Sequence, residues 1–322
     1  MMRKKHWRIA LLFVFPLVFV LYCAERVIDA GVRNSDYRHF QKVNLIVSKG
    51  VNPEIAVFGS SVGEVGIDIP VLEKITGMSA YNFSIDGTRF MQYRGLIREF
   101  NKLSDSGKAV VFAETFFTLE PIDRLTEVDR YVAHIRNKNI YNSLLTIQPG
   151  LVRKIRYVPF YKFIVMNHTY YWASVKGWMN KLGIKKEHQQ DSLKGFTPRK
   201  ESWDINLDQF NRETKPLHIQ IDTSILRNYN LMLDELLLMG RKVFIIIPPV
   251  QSSAMGLFEN FDELQQAFAS LRRDGVYFLD YSASSLSPDK KYFYNNTHLN
   301  DEGAAKFSVQ LANDIKNIMI RP

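Results

Sequence analysis

The 322-residue chain has one cysteine, Cys23, which excludes an internal disulfide and a cysteine-rich metal site. Cys23 ends an apolar run as a lipoprotein signal does, but Tyr22 stands before it where such a signal wants a small side chain. No His-Glu-x-x-His pair or other paired metal-ligand spacing occurs, and His168 and His218 stand alone, so no metal is expected. There is no P-loop and no Gly-x-Gly-x-x-Gly, so neither a nucleotide nor any other cofactor is expected. Internal repeats and low-complexity tracts are lacking too. Acidic residues number 33 against 42 basic ones, for a net charge of +9. Arg3, Lys4, Lys5 and Arg8 carry four of those charges, and the rest is thinly spread. Nucleic-acid binding needs a clustered basic face rather than a basic tail, so no nucleic-acid partner is expected.

What the chain does have is a basic start followed by an unbroken apolar run over residues 9–24, closed by Glu25 and Arg26. Sixteen helical residues span roughly 24 Å, slightly less than a hydrocarbon core. Trp7 and Tyr22 stand at its two ends, where amphipathic rings favour the membrane interface, and Pro16 is tolerable within a membrane helix. The alternative is a cleaved signal peptide. A small-x-small site directly after the run is missing, although Ala30-Gly31 follows. The expectation is an uncleaved single-pass anchor in a bacterial cytoplasmic membrane. Basic residues 1–8 stay inside and everything after Ala24 lies outside.

Residues 25–50 read as a polar, amphipathic juxtamembrane helix. Beyond it, strand signals at 54–58, 79–83, 108–113, 243–247 and 276–279 alternate with helical patterns at 69–76, 89–103, 224–239, 261–273 and 301–318. This alternation predicts a three-layer, doubly wound, mostly parallel five-stranded α/β sheet within residues 51–322. The alternation is interrupted at about 123–217, which reads as a helical insertion capping the carboxyl edge of the sheet. Here cations such as Arg153, Lys154, Arg156 and Lys162 are interleaved with Tyr157, Phe160, Phe163, Tyr170 and Trp172. Such a pattern fits the core of a small cap, as Phe160 and Phe163 at helical spacing suggest, with a surface that stacks sugars or faces lipid as the alternative.

Two separated segments carry chemistry. Gly59-Ser60-Ser61 follows the first strand directly and presents a hydroxyl at the sheet edge. Asn295-Asn296-Thr297-His298-Leu299-Asn300 follows the last strand and precedes the final helix. A serine hydroxyl is a poor nucleophile until a base takes its proton, and a histidine reaching back over the same edge supplies one.

These segments resemble the SGNH (GDSL-like) hydrolase superfamily, whose fold is flavodoxin-like, over about residues 50–115 and 240–320. The resemblance implies Ser61 as nucleophile within Phe58-Gly59-Ser60-Ser61, with Ser60 in place of the family's Asp. It implies Gly87, in Asn82-Phe83-Ser84-Ile85-Asp86-Gly87-Thr88, and Ser61 itself as backbone oxyanion donors. It implies His298 as general base. Two departures stand out: Ala113-Glu114-Thr115-Phe116 replaces the block that offers a side-chain oxyanion donor, and Asn295 replaces the triad acid. Asn295 can orient the imidazole but cannot neutralise it, and Asp280 at the end of the last strand is an alternative orienter.

In layout the chain is similar to membrane-anchored proteins of D-alanyl transfer and alginate O-acetylation. The resemblance therefore implies O-acyl transfer or ester hydrolysis on a cell-envelope glycan through an acyl-Ser61 intermediate, beside a multispanning membrane acyltransferase. The other reading is a catalytically inactive scaffold that keeps the fold to bind an envelope glycan or that partner.

Overall fold

The strands of this protein are apolar on both sides, and that decides the architecture. In the computed structural model, residues 2–184 and 191–320 are described, with side chains from residue 12 onward. Along the chain, α1 (Met2–Arg33) and α2 (Arg38–Val47) precede β1 (Ile55–Gly59). Then come α3 (Ser61–Gly66), α4 (Ile69–Thr76), β2 (Ala80–Asn82), α5 (Phe90–Leu103) and β3 (Ala109–Ala113). Next are α6 (Asp129–Val132), α7 (Lys138–Leu145), α8 (Pro149–Tyr157), α9 (Tyr161–Val165) and α10 (His168–Lys181). The chain continues through α11 (Asn206–Glu213), α12 (Thr223–Leu237), β4 (Lys242–Ile247), α13 (Phe261–Ala269), β5 (Val276–Asp280) and α14 (Asp301–Ile320).

All strands are parallel, in the order β2-β1-β3-β4-β5. β1 and β3 are buried throughout, as a parallel sheet covered on both faces requires. Their pleat divides the side chains between two cores. Ala56, Phe58, Val110, Phe112, Val243 and Ile245 face one, with α2, α5, α12 and α13 laid over them. Ile55, Val57, Ala109, Val111, Phe244 and Ile246 face the other, covered by α4 and α14. The sheet is thus the middle of three layers. From β1 the chain moves to β2 on one side and returns to β3 on the other. The carboxyl ends of β1 and β3 therefore flank the reversal of strand order, where open α/β sheets place their crevice.

The N-terminal region departs from the sequence expectation. Among the described residues no helix is long and apolar enough to cross a membrane, so the membrane helix expected over residues 9–24 is not found. Instead one continuous helix, α1, runs to Arg33. Trp7 and the basic tail fall where side chains lie outside the described residues. Over residues 12–20 the side chains of α1 are uncovered, with Leu12, Phe13 and Phe15 each more than 70% exposed. Its second half is fastened to the insertion. Lys162 Nζ pairs with Glu25 Oε1 (2.8 Å) and with Asp29, and the Tyr170 hydroxyl donates to Asp29 Oδ1 (2.7 Å). α1 and α10 touch so closely that a Cβ on Gly177 would lie 1.8 Å from the Gly31 carbonyl oxygen.

α2 is no mere juxtamembrane spacer, because Phe40, Val43 and Ile46 are buried in the first core. The insertion between β3 and β4 is helical. Residues 185–190 within it lie outside the described residues.

Candidate active site

β1 ends against β3 at a distance only glycine allows: a Cβ on Gly59 would sit 2.3 Å from the Ala113 carbonyl oxygen. The chain then turns through Ser60, whose carbonyl accepts the N–H groups of Gly63 and Glu64 (both 3.1 Å). α3 starts at Ser61, which places its hydroxyl at the carboxyl edge of the sheet. The Ser60 and Ser84 hydroxyls beside it are buried without a hydrogen-bond partner among the described residues.

His298 arrives from the opposite end of the chain. Its carbonyl accepts the Tyr294 N–H (3.1 Å), closing a tight loop before α14, and the Tyr294 ring lies over the imidazole at 5.4 Å. Nε2 of His298 is 2.7 Å from Ser61 Oγ, and Nδ1 is 2.8 Å from Asn295 Oδ1. The same Asn295 oxygen accepts the backbone N–H groups of Thr297 (3.1 Å) and His298 (3.0 Å). Two obligatory donors identify that atom as the amide oxygen rather than the nitrogen. An oxygen there can only accept, so Nδ1 carries the proton and Nε2 presents its lone pair to Ser61. Burial pushes the His298 pKa down to about 4, with the Asp86 charge opposing and the Arg199 charge assisting. The imidazole is therefore neutral at pH 7 and able to accept a proton.

Asp280 makes no hydrogen bond to His298 among the described residues. Its Oδ1 accepts the Ser282 N–H (2.9 Å) and its Oδ2 a proton of the Gln265 amide. It belongs to the end of an edge strand, where it ties the chain to α13 rather than orienting His298.

The loop carrying Gly87 is tied to both β1 and α3. Asn82 donates to the Gly63 carbonyl (2.8 Å) and accepts the Ser84 N–H (3.0 Å), and the Ile85 N–H donates to the Gly59 carbonyl (3.0 Å). Gly87 has φ 69°, and its carbonyl accepts the Thr126 hydroxyl from the insertion (2.5 Å). Neither the Gly87 nor the Ser61 N–H donates to another group among the described residues, so both are free to meet developing negative charge.

A buried ion pair that sequence reasoning missed holds this loop. Glu64, one turn after Ser61, accepts the Asp86 N–H (2.8 Å) and pairs with Lys42 of α2 (3.1 Å), while Lys42 also donates to the Ser84 carbonyl. Burial alone would raise the Glu64 pKa, but the Lys42 ammonium brings it below the usual range. The available signal was a lysine on the apolar face of α2, since a lysine is almost never buried without a partner.

Glu114, at the end of β3, has become structural. Its carboxyl accepts the hydroxyls of Tyr93 (2.9 Å), Tyr229 (2.7 Å) and Thr118 (2.8 Å), and burial raises its pKa. It shares with Val62 and Thr297 the wall of a cavity of about 10 Å³ behind the Ser–His pair, room for roughly one water. Among the described residues, His39, Glu127 and Asp129 form the one group with metal-ligating spacing. It is already satisfied: His39 Nε2 meets Asp129 Oδ2 at 2.7 Å, and Arg130 donates to Glu127 at 2.9 Å.

No protein-family model and no curated protein matches this chain. Among solved structures, a "putative platelet activating factor" from Streptococcus pneumonia is similar over 88% of this chain and 92% of its own, at 11% identity and a TM-score of 0.39. That likeness is too loose to bear on fold or chemistry. The site is defined by its own geometry, in which a serine, a neutral histidine and an asparagine stand in hydrogen-bonded series.

Proposed function

We propose that this chain is an SGNH-type serine acyltransferase or esterase, attached to a bacterial membrane by α1 and acting outside the cytoplasm on a cell-envelope glycan. The observation that carries the reading is the series Ser61 Oγ–His298 Nε2 (2.7 Å) and His298 Nδ1–Asn295 Oδ1 (2.8 Å). In the proposed reaction Nε2 takes the Ser61 proton as Oγ attacks the ester carbonyl. The N–H groups of Ser61 and Gly87 receive the oxyanion. The imidazolium then returns its proton to the departing alcohol, leaving acyl-Ser61. A glycan hydroxyl or water, deprotonated by the same Nε2, takes the acyl group off again.

Asn295 holds the ring in the productive tautomer throughout. Where an Asp→Asn change cripples a serine protease by about 10⁴, the loss comes from the wrong tautomer. Here two backbone donors pin the Asn295 oxygen towards Nδ1 and remove that difficulty. Membrane attachment rests on the exposed apolar side chains of α1 between Leu12 and Val20, since a helix apolar all round needs a cover. A multispanning membrane acyltransferase, the partner implied by the resemblance, would deliver the acyl group at that surface.

A serine-directed phosphonate should label Ser61. Ser61→Ala should abolish labelling, and His298→Ala should slow it by about 10²–10⁴. Labelling that survives in Ser61→Ala would place the nucleophile elsewhere. A specific observation favours the second reading, a catalytically inactive scaffold: Glu114 occupies the place of a side-chain oxyanion donor and is consumed by three hydroxyls. Absence of labelling in the wild-type protein would select it.

A further inference from the structure

Where α1 leaves the folded domain, a pocket of about 190 Å³ opens between it and the insertion. Tyr22 and Glu25 of α1, Arg136 from the segment before α7, and Arg156, Tyr157 and Val158 at the end of α8 line it. The Arg136 guanidinium lies 5.5 Å from the Tyr22 ring, and Arg156 lies 4.0 Å from the Tyr141 ring. Aromatic faces position these cations but do not neutralise them. Neither arginine pairs with a carboxylate among the described residues. Glu25 is already engaged, by Lys162 at 2.8 Å and the Phe160 N–H at 3.1 Å. Arg26 adds a third cation behind Tyr22, donating to its hydroxyl (2.8 Å) while its own Nε is buried without a partner.

The pocket therefore asks for an anion, and guanidinium groups match phosphate oxygens well. Its outer wall asks for something apolar as well. Tyr157 is 65% exposed and Val158 47%, and the uncovered side chains of α1 begin one helical turn from Tyr22 with Phe19 and Val18. A ligand that satisfies both walls has a phosphate joined to hydrocarbon.

We propose that this pocket binds the headgroup phosphate of an anionic phospholipid between Arg136 and Arg156, with the acyl chains lying along the exposed face of α1. The bound lipid sets the height of the Ser61–His298 site above the membrane. The proposal rests on the attachment of α1 to lipid argued above, and the two are separable by experiment.

The full-length protein is reconstituted in nanodiscs of phosphatidylcholine with phosphatidylglycerol, extracted, and the retained phosphatidylglycerol counted by native mass spectrometry. Arg136→Gln with Arg156→Gln should weaken retention roughly thirtyfold, the effect of two cations at headgroup level. Arg227→Gln with Lys215→Gln, which removes the same charge elsewhere, should leave it unchanged. Because Arg156 also packs on Tyr141, Arg136→Gln alone serves as the gentler variant and should show part of the loss. Undiminished retention in both Arg136 variants overturns the proposal, as does displacement of the lipid by inorganic phosphate, which would assign the pocket to a free anion. Loss of the wild-type chain from carbonate-washed membranes would instead remove the attachment of α1, and the lipid site with it.

Discussion

The polar groups around Ser61 and those that fasten α1 meet the cost of burial in opposite ways. Ser61, His298 and Asn295 are all neutral, and each is satisfied by hydrogen bonds from a neighbour or from the backbone of its own loop. At α1, Lys162 is 1% exposed and faces two carboxylates, Glu25 and Asp29, on another helix. The neutral network leaves His298 free to take the Ser61 proton, whereas a buried ion cluster that loses one member leaves an uncompensated charge, and for that reason it holds geometry. On the proposed reading, the first region carries the chemistry and the second holds α1 in place. The Lys42–Glu64 pair stands between them, a charged clamp on the loop that carries Gly87.

The largest effect is expected where the charge is greatest. Lys162→Met leaves Glu25 and Asp29 facing each other in the interior, and breaking a buried pair in this way costs about 3–5 kcal/mol. Denaturant unfolding of the detergent-solubilised protein measures it. Replacing all three groups together (Lys162→Met, Glu25→Gln, Asp29→Asn) should recover most of the loss, because the penalty lies in the uncompensated charge. A single variant as stable as wild type would mean that the cluster does not hold α1.

A smaller effect is expected where charge is added to the neutral region. Asn295→Asp gives the His298 imidazolium an ionic partner, and a charged hydrogen bond exceeds a neutral one by roughly 1 kcal/mol. Labelling of Ser61 should become several-fold faster at neutral pH. The same change raises the His298 pKa, since an opposite charge favours the protonated form. Burial holds that pKa at about 4, so the neutral base persists as pH falls towards 4 and the acid limb of wild-type labelling lies there. In Asn295→Asp the limb should move upward by somewhat less than one pH unit, since about 1 kcal/mol corresponds to roughly 0.7 pH unit. The variant's several-fold advantage should therefore hold near pH 8 and shrink as pH falls below 5. An acid limb that stays where it is in the wild type would show that Asn295 does not act through His298.

The smallest effect is expected at Asp280. Its carboxylate is exposed and occupied by Gln265 and the Ser282 N–H, so Asp280→Asn should leave the labelling rate unchanged within about twofold. A large loss would reinstate it as a participant and break the contrast between the two regions.

Much of the sheet was readable because its strands are short apolar runs bounded by turns. Val243–Ile247 and Ala109–Ala113 fall within the observed β4 and β3, and the helix read over 69–76 coincides with α4. α3 was not read, because six residues including two glycines carry no helical period. Ser61 and His298 were readable as a pair since each follows a strand, and parallel strands deliver all their carboxyl ends to one edge. The clamp of Lys42 and Glu64 was not, because partners 22 residues apart on different helices have no shared spacing.

Local patterning by itself determined the alternation of strands and helices, the placement of a serine and a histidine at strand ends, and the apolar run at the N-terminus. These follow from side-chain period and turn chemistry, which act over a few residues. Tertiary structure decided the rest. Strand order brought Ser61 and His298 to 2.7 Å across 237 positions of sequence. The fold of the 294–298 loop turned the Asn295 oxygen towards Nδ1, and packing drew Glu114 and Asp280 into other partnerships. Each of these depends on which buried polar group finds which partner, and that is settled only when distant segments exclude water from the same place.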